Sequence, residues 1–211
     1  MANIPSSRGS DWRDGFLFVG NQLALDFLNT CPVQEGRPLD LFPDFSAILR
    51  WFQAAGHLTA DQRGDLEQKW GNSMRARRVT RGMRELREKL RQAILRWEQD
   101  GIVPPRTVGE LNRLMAEHPM LTRLKQDTKK SSTEPWFKVR EPEDLFAPLA
   151  HSAAMLFAGV DRQRVRKCRQ CVLHFHDTSK KGTRRWCSMQ LCGNRIKVAA
   201  YAARQRTRAL G

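Results

Sequence analysis

The sequence predicts a mainly α-helical (α+β) protein in two parts. An α-helical N-terminal domain carries one or two short β-hairpins, and a small C-terminal four-cysteine module is followed by a basic helix. Three observations predict this. Apolar residues recur at three- and four-residue spacing across 77–100, as Val79, Met83, Leu86, Leu90, Ala93, Ile94 and Trp97, which is the period of an amphipathic helix. Helix-start signals stand at Thr59–Gln62 and Thr107–Glu110, where a side-chain oxygen and a residue three positions on can cap each other. Four of the five cysteines, Cys168, Cys171, Cys187 and Cys192, fall in two close pairs, C-x2-C and C-x4-C, with fifteen residues between them.

Residues 1–14 are polar, with Pro5 and Gly9, and are expected to be a flexible tail. The front domain then runs over 15–160. Residues 16–19, FLFV, read as a short strand and Gly20-Asn21 as a turn. LALDFLNT at 23–30 reads either as a return strand or as a helical turn. As a helix it puts Asp26, Asn29 and Thr30 on one polar face, at i, i+3 and i+4. These three either fix a local turn and cap or line a small-molecule pocket. Side-chain-to-backbone bonds by Asp, Asn and Thr are common, so the local reading is preferred.

Pro32 to Leu41 reads as a loop. Pro43 opens a helix with Phe45, Leu49 and Phe52 in its apolar rows and Gly56 at its C-terminal end. The helix after Thr59 has only Leu66 and Trp70 to bury. Gly101 ends the long helix, and a short one from Thr107 carries Leu111, Leu114 and Met115. His118-Pro119 breaks it. MLTRLKQD and PWFKVRE read as the strands of a hairpin around KKSSTE. The last helix of the domain opens at Pro142 and is buried through Leu145, Leu149, Ala153, Leu156 and Phe157. Pro148 falls near its first turn, where proline is tolerated.

With 211 residues, 40% of them hydrophobic, the chain can build a real core beside a small module. The first residues hold no apolar stretch of the kind a signal peptide needs. The longest uncharged run, Leu145 to Val160, is short for a membrane span and contains Pro148, His151 and Ser152. A cytoplasmic protein with no membrane partner is expected, in a compartment where thiols stay reduced.

That expectation bears on the cysteines of the second part, 161–211. Their spacing suits one tetrahedral zinc, each close pair gripping the ion from a tight turn. A disulfide would need an oxidising compartment. A redox pair would open a helix in a βαβ unit, and iron–sulfur clusters use other spacings. With four thiolates the site has no open position, so the zinc is structural. His174 and His176 are then groups around the site or on the surface, and Cys31 is a small buried or partly buried residue. Short strands over 165–168 and 173–176 are expected to flank the first pair, with SKKGT as the distal turn and Trp186 over a small core. Gly193 lets the backbone pass close to the metal or start a helix.

Charge is concentrated in the same part. Between Arg162 and Arg208 stand fourteen Lys or Arg and one acid, Asp177, which is +13 of the chain's formal +15. Zinc thiolates need about two of these charges, so the excess is the footprint of a polyanion. Nucleic acid is the expected partner, double-stranded DNA before RNA because the module has few aromatics for stacking single strands. A protein-interaction finger is a further alternative. Arg184, Arg185, Arg195, Lys197, Arg204 and Arg208 are the candidate phosphate contacts. Lys197, Tyr201, Arg204 and Arg208 form one stripe of the predicted C-terminal helix. Asn194 is either a hydrogen-bonded structural residue or a base reader. The chain shows no nucleophile–base motif, no phosphate-binding glycine loop and no second metal cluster, so no enzyme is expected.

RRWCSMQLCGNR is similar to the signature of the CGNR zinc-finger family, named for Cys192-Gly193-Asn194-Arg195. The upstream CRQC, the FHDTS and the basic stretch beyond also fit. FLFVGNQLALDFLNT resembles the ABATE domain, a family described in terms of stress-induced transcription regulation. The resemblance implies a bacterial DNA-binding transcription regulator. Its front domain would sense a small-molecule effector or hold a protein partner.

Overall fold

The computed structural model describes residues 11–128 and 130–194. The predicted basic helix after residue 194, with Arg195, Lys197, Arg204 and Arg208, lies outside the described residues. So does most of the expected tail. The described part of that tail is ordered by pairing: Trp12–Arg13 (β1) runs antiparallel to Phe16–Leu17 (β2) around Asp14 and Gly15, both at positive φ. Phe16 and Leu17 are buried and pin the hairpin to the body.

LALDFLNT resolves to a helix, α1 (Leu23–Leu28), buried from Ala24 to Leu28. The stretch read as a loop holds a second hairpin, Val33–Gln34 (β3) with Arg37–Pro38 (β4). Glu35 and Gly36 turn it with φ of 51° and 79°, the left-handed pair a two-residue hairpin requires. Both strands are exposed, so no apolar alternation marks them in the sequence.

The helices follow the periodic pattern closely. α2 (Phe45–Ala54) is capped by Asp44, which accepts from the Ala47 N–H at 2.8 Å. α3 (Ala60–Trp70) has the expected capping box of Thr59 and Gln62, and Leu66 is its one buried residue. α4 (Met74–Asp100) is capped by Ser73 and ends at Gly101 in the left-handed conformation. α5 (Pro105–Glu117) starts two residues before Thr107, because Pro105 suits the first helical position, where no N–H partner is needed. After a 3-10 turn at Pro142–Leu145, α6 (Phe146–Gly159) closes the domain. No helix among the described residues is long and apolar enough to cross a membrane.

Between α5 and α6 stands the third hairpin, Leu121–Asp127 (β5) with Lys130–Trp136 (β6). The polar run KKSSTE, expected as its loop, supplies most of β6, and the turn lies between Asp127 and Lys130. The strand is held by charge: Arg123 and Lys125 of β5 both pair with Glu134.

The core gathers where α1, α2, α4 and α6 meet. Trp51 stands at its centre against Phe27, Phe42 and Phe52, with Met83, Leu90 and Ile94 of α4 beneath. Beside it lies one buried cation. The Arg87 side chain is 3% exposed and donates to both Asp40 oxygens, at 2.9 and 2.8 Å, and to Thr30 Oγ1 at 3.0 Å. Removing Asp40 leaves that buried charge only the exposed Glu88, 3.2 Å from its Nε. Asp40→Ala is therefore expected to lower stability by about 3 kcal/mol, read as a lower urea midpoint with unchanged slope.

Candidate metal centre and basic surface

The second part begins with a 3-10 turn at Arg162–Arg164, followed by Val165–Lys167 (β7) paired antiparallel with His174–His176 (β8). Between the strands the chain doubles back through Cys168 and Cys171, closed by the Cys168 N–H donating to the Leu173 carbonyl at 2.8 Å. Asp177 is fully buried and organises the distal turn. Its carboxylate accepts from the N–H groups of Ser179 (2.9 Å) and Arg184 (2.8 Å). The chain then returns to Cys187. Ser188 caps a wide π-helical turn, Met189–Gly193, that delivers Cys192. A Cβ on Gly193 would lie 2.6 Å from Met189 Sδ, the flexible end of an exposed side chain that would have to move aside.

The four sulfurs of Cys168, Cys171, Cys187 and Cys192 all lie within 4.8 Å of one another, and Cys171 Sγ is 3.7 Å from Cys187 Sγ. Zinc about 2.3 Å from each of four sulfurs sets their separation at about 3.8 Å. The thiols also call for a cation. A hydrogen bond from the Cys187 thiol brings Cys171 down to about 5. The same bond, with burial, pushes Cys187 far up, and burial beside Cys171 pushes Cys192 up to about 12. Thiolates held this close repel one another, and a dication among them offsets that repulsion. The donor set fits one zinc ion, held by these four cysteines with no open position.

Neither histidine joins the sulfurs. His174 is buried, its ring nitrogens form no hydrogen bond among the described residues, and Nε2 lies 3.8 Å from Glu98 Oε1 on α4. Burial pushes His174 down to about 4 and Glu98 up to about 7.

The module does not stand on a core of its own. Leu17 and Val19 of the front domain share one cluster with Leu173, Phe175, Cys168, Cys187 and Cys192. Polar bonds tie the same seam. Asn29 Nδ2 donates to the His174 carbonyl at 2.9 Å, and the His174 N–H donates to Asn29 Oδ1 at 2.9 Å. Asn21 donates to the His176 carbonyl, whose own N–H reaches the Gly20 carbonyl.

The three polar residues of α1 and its end therefore do three different things. Asn29 joins the two parts. Thr30 donates to the Phe27 carbonyl and accepts from Arg87. Asp26 accepts from the Gly20 N–H at 2.7 Å, and burial, opposed by that bond, pushes its carboxyl up to about 7. Asp26 also lines a cleft of about 490 Å³ with Arg13, Phe18, His57 and His151; Asn29 and Thr30 do not line it.

The candidate phosphate contacts divide as well. Arg184, expected at a phosphate, is taken up inside the module. Its guanidinium donates to the carbonyls of Trp186 (2.9 Å), Val19 (3.1 Å) and Cys187, and lies over the Phe175 ring. Arg185 is exposed, as is Asn194 at the end of the π-helical turn. Arg185 lines a cleft of about 420 Å³ with Arg166, Lys167 and Arg169. Among the described residues, the side chains of Lys167, Arg169 and Arg185 form no hydrogen bond or ion pair. Lys167 and Arg169 were open to sequence reasoning, since they bracket the buried ligand Cys168 where β7 gives way to the turn.

Residues 21–160 match the ABATE family, described as a "putative stress-induced transcription regulator", and residues 164–205 match the CGNR zinc finger. No curated protein matches the chain.

Two outcomes are expected. Purified protein should hold about one zinc per chain by elemental analysis, and Cys168→Ser should lose it and expose the region after residue 161 to protease. Zinc retained in both Cys187→Ser and Cys192→Ser would overturn the ligand set. Asn29→Ala leaves the buried His174 peptide groups without partners and should cost about 2 kcal/mol in urea unfolding of the zinc-loaded chain.

Proposed function

The chain belongs to the ABATE family and carries a CGNR zinc finger, and from that premise we propose that it regulates transcription by binding double-stranded DNA through the finger. The front domain is the half that senses an effector or holds a partner. No catalytic step belongs to this reading.

The observation that carries it is the unpaired positive charge beside the metal centre. Of the basic residues from Arg162 onward, Arg162 donates to the Glu98 and Gln99 carbonyls, Arg164 to those of Asp177 and Ser179, Arg166 to those of Gln163 and Arg184, and Arg184 to three more. Lys167, Arg169 and Arg185 have no such duty and share one cleft. Phosphate oxygens are the anions that repeat at a spacing several free bases can meet together. Arg195, Lys197, Arg204 and Arg208 extend this contact in the proposal, and Asn194 and Arg195 are its candidates for reading a base edge. The zinc supplies no chemistry to DNA. It holds β7, the distal turn and the start of the C-terminal segment in one frame.

Fluorescence anisotropy on duplex DNA tests the reading. Each phosphate contact contributes about 0.9 to the fall of log affinity with log salt. Lys167→Ala/Arg169→Ala/Arg185→Ala should weaken binding on every sequence and reduce that slope by about three. Chelation of the zinc should abolish binding. Equal affinity of wild type and triple variant at about 50 mM salt, where the electrostatic contribution is strong, would sink the proposal. A tighter complex with duplex RNA of the same length would reassign the partner.

A further inference from the structure

The largest charge cluster outside the finger lies on the N-terminal two-thirds of α4. From Met74 to Arg91 this helix carries seven arginines and one lysine against two glutamates. Five of these cations are engaged by the fold. Arg75 pairs with Glu141 and Glu143, and Lys89 with Glu110. Arg84 donates to the Phe42 carbonyl at 2.8 Å and faces Asp40 at 3.3 Å. Arg87 holds the other side of Asp40, and Arg91 donates to the Leu28 carbonyl at 2.7 Å. Arg77, Arg78 and Arg81 differ: they are exposed and form no ion pair or hydrogen bond among the described residues. Glu85 stands four residues beyond Arg81, yet the two do not pair. Elsewhere the arginines of these helices do take such partners, as in Arg96–Asp100 and Arg113–Glu117.

Arg77, Arg81 and Arg84 lie on one face of the helix, at i, i+4 and i+7. That face walls a cleft of about 420 Å³. Residues 43–45 form the opposite wall, and Gly71 and Asn72 close one end. The volume falls within the range of small-molecule sites. The acids nearby are already occupied: Asp44 caps α2 through the Ala47 N–H, and Asp40 is shared by Arg84 and Arg87. The cleft therefore presents two unpaired guanidinium forks and one carboxylate, that of Asp44, one of whose oxygens is engaged as the cap of α2.

We propose that this cleft binds a phosphorylated small molecule of about nucleotide size, with Arg77 and Arg81 gripping its phosphate oxygens. A planar guanidinium offers two parallel N–H donors to such a group, which a solvated lysine does not. A free ligand fits the place better than the backbone of a duplex, because the arginines face into a recess between α4 and the start of α2. The recess is also far from the finger. Arg81 and Glu98 are seventeen residues apart on one helix, about 25 Å at 1.5 Å per residue. The far end of that helix meets the finger, where Arg162 binds the carbonyls of Glu98 and Gln99. A ligand at one end of α4 is thus joined to the metal module by a continuous rod.

The test is calorimetric titration of the zinc-loaded full chain with inorganic pyrophosphate at constant ionic strength. Three proteins are compared: wild type, Arg77→Ala/Arg81→Ala, and the finger variant Lys167→Ala/Arg169→Ala/Arg185→Ala. Wild type and finger variant should bind pyrophosphate alike, and Arg77→Ala/Arg81→Ala should lose about tenfold or more in affinity with an unchanged thermal midpoint. Equal binding by wild type and Arg77→Ala/Arg81→Ala, or loss confined to the finger variant, would overturn the site. If the alanine variant melts early, Arg77→Lys/Arg81→Lys keeps the charge and removes the forks. A loss of about threefold or more then supports the site, and no change overturns it. A parallel titration with duplex DNA separates the two sources of phosphate. If Arg77→Ala/Arg81→Ala weakens DNA as much as it weakens pyrophosphate, the arginines serve the duplex and the small-molecule site falls. Because the pyrophosphate arm does not involve the finger, it stands or fails independently of DNA binding.

Discussion

Four sulfurs within 4.8 Å of one another cannot all carry charge unless a cation sits among them. Everything in the C-terminal part depends on that constraint. β7 and β8 are three residues each, and the distal turn is held by one buried aspartate. Elements this short cannot repay their own ordering entropy. The metal joins the turn after β7 to the turn carrying Cys192, so two weak pieces become one closed frame. Phe175 and Leu173 then have a wall to pack against, and Arg184 has three carbonyls to bind.

Even the closed frame is incomplete without the front domain. Leu17 and Val19 belong to the same apolar cluster as the cysteines, and Asn29 satisfies both backbone groups of His174. α1 joins the two parts: it is buried against α4 and α6 of the front domain and against β8 of the module. A six-residue helix has little stability of its own, so it exists because its surroundings bury nearly all of it. The C-terminal end of α4 completes the seam. Its last carbonyls have no helical partners, and the Arg162 guanidinium supplies the missing donors and the favoured charge.

These facts explain which parts of the fold could be read in advance. The long helices announce themselves because apolar residues recur at helical spacing, and Thr59, Gly56 and Gly101 mark ends by local chemistry alone. The metal ligands are legible because thiolate spacing is a property of chain distance. The exposed hairpins are not. β3, β4 and most of β6 bury nothing, so their sequences lack alternation, and a cross-strand Glu134 pair or a Glu35-Gly36 turn is the only local cue. Nor is the role of Asn29 legible. Its partner is the backbone of a residue far along the chain, and backbone atoms leave no mark in a sequence. His174 misleads for the related reason that it sits beside the metal ligands in sequence and against Glu98 in space.

The basic residues show the same limit most sharply. A count of charges cannot separate an arginine facing solvent from one folded against carbonyls. Arg162, Arg164, Arg166 and Arg184 all donate to backbone oxygens, and a carbonyl takes a hydrogen bond without cancelling the charge. Of these four, Arg164 and Arg166 also have acids nearby, Asp161 at 3.9 Å and Asp177 at 3.7 Å, while Arg162 and Arg184 form no ion pair among the described residues. Most of their field therefore persists outside the protein although their donors are occupied. Such a field attracts a polyanion from a distance, within the range that salt allows. Contact requires free donors, which among the described residues of this part belong to Lys167, Arg169 and Arg185 and, on the distal turn, to Lys180 and Lys181. One set of charges draws a phosphate chain in and another set can hold it, a division that follows from which arginines the fold itself needs.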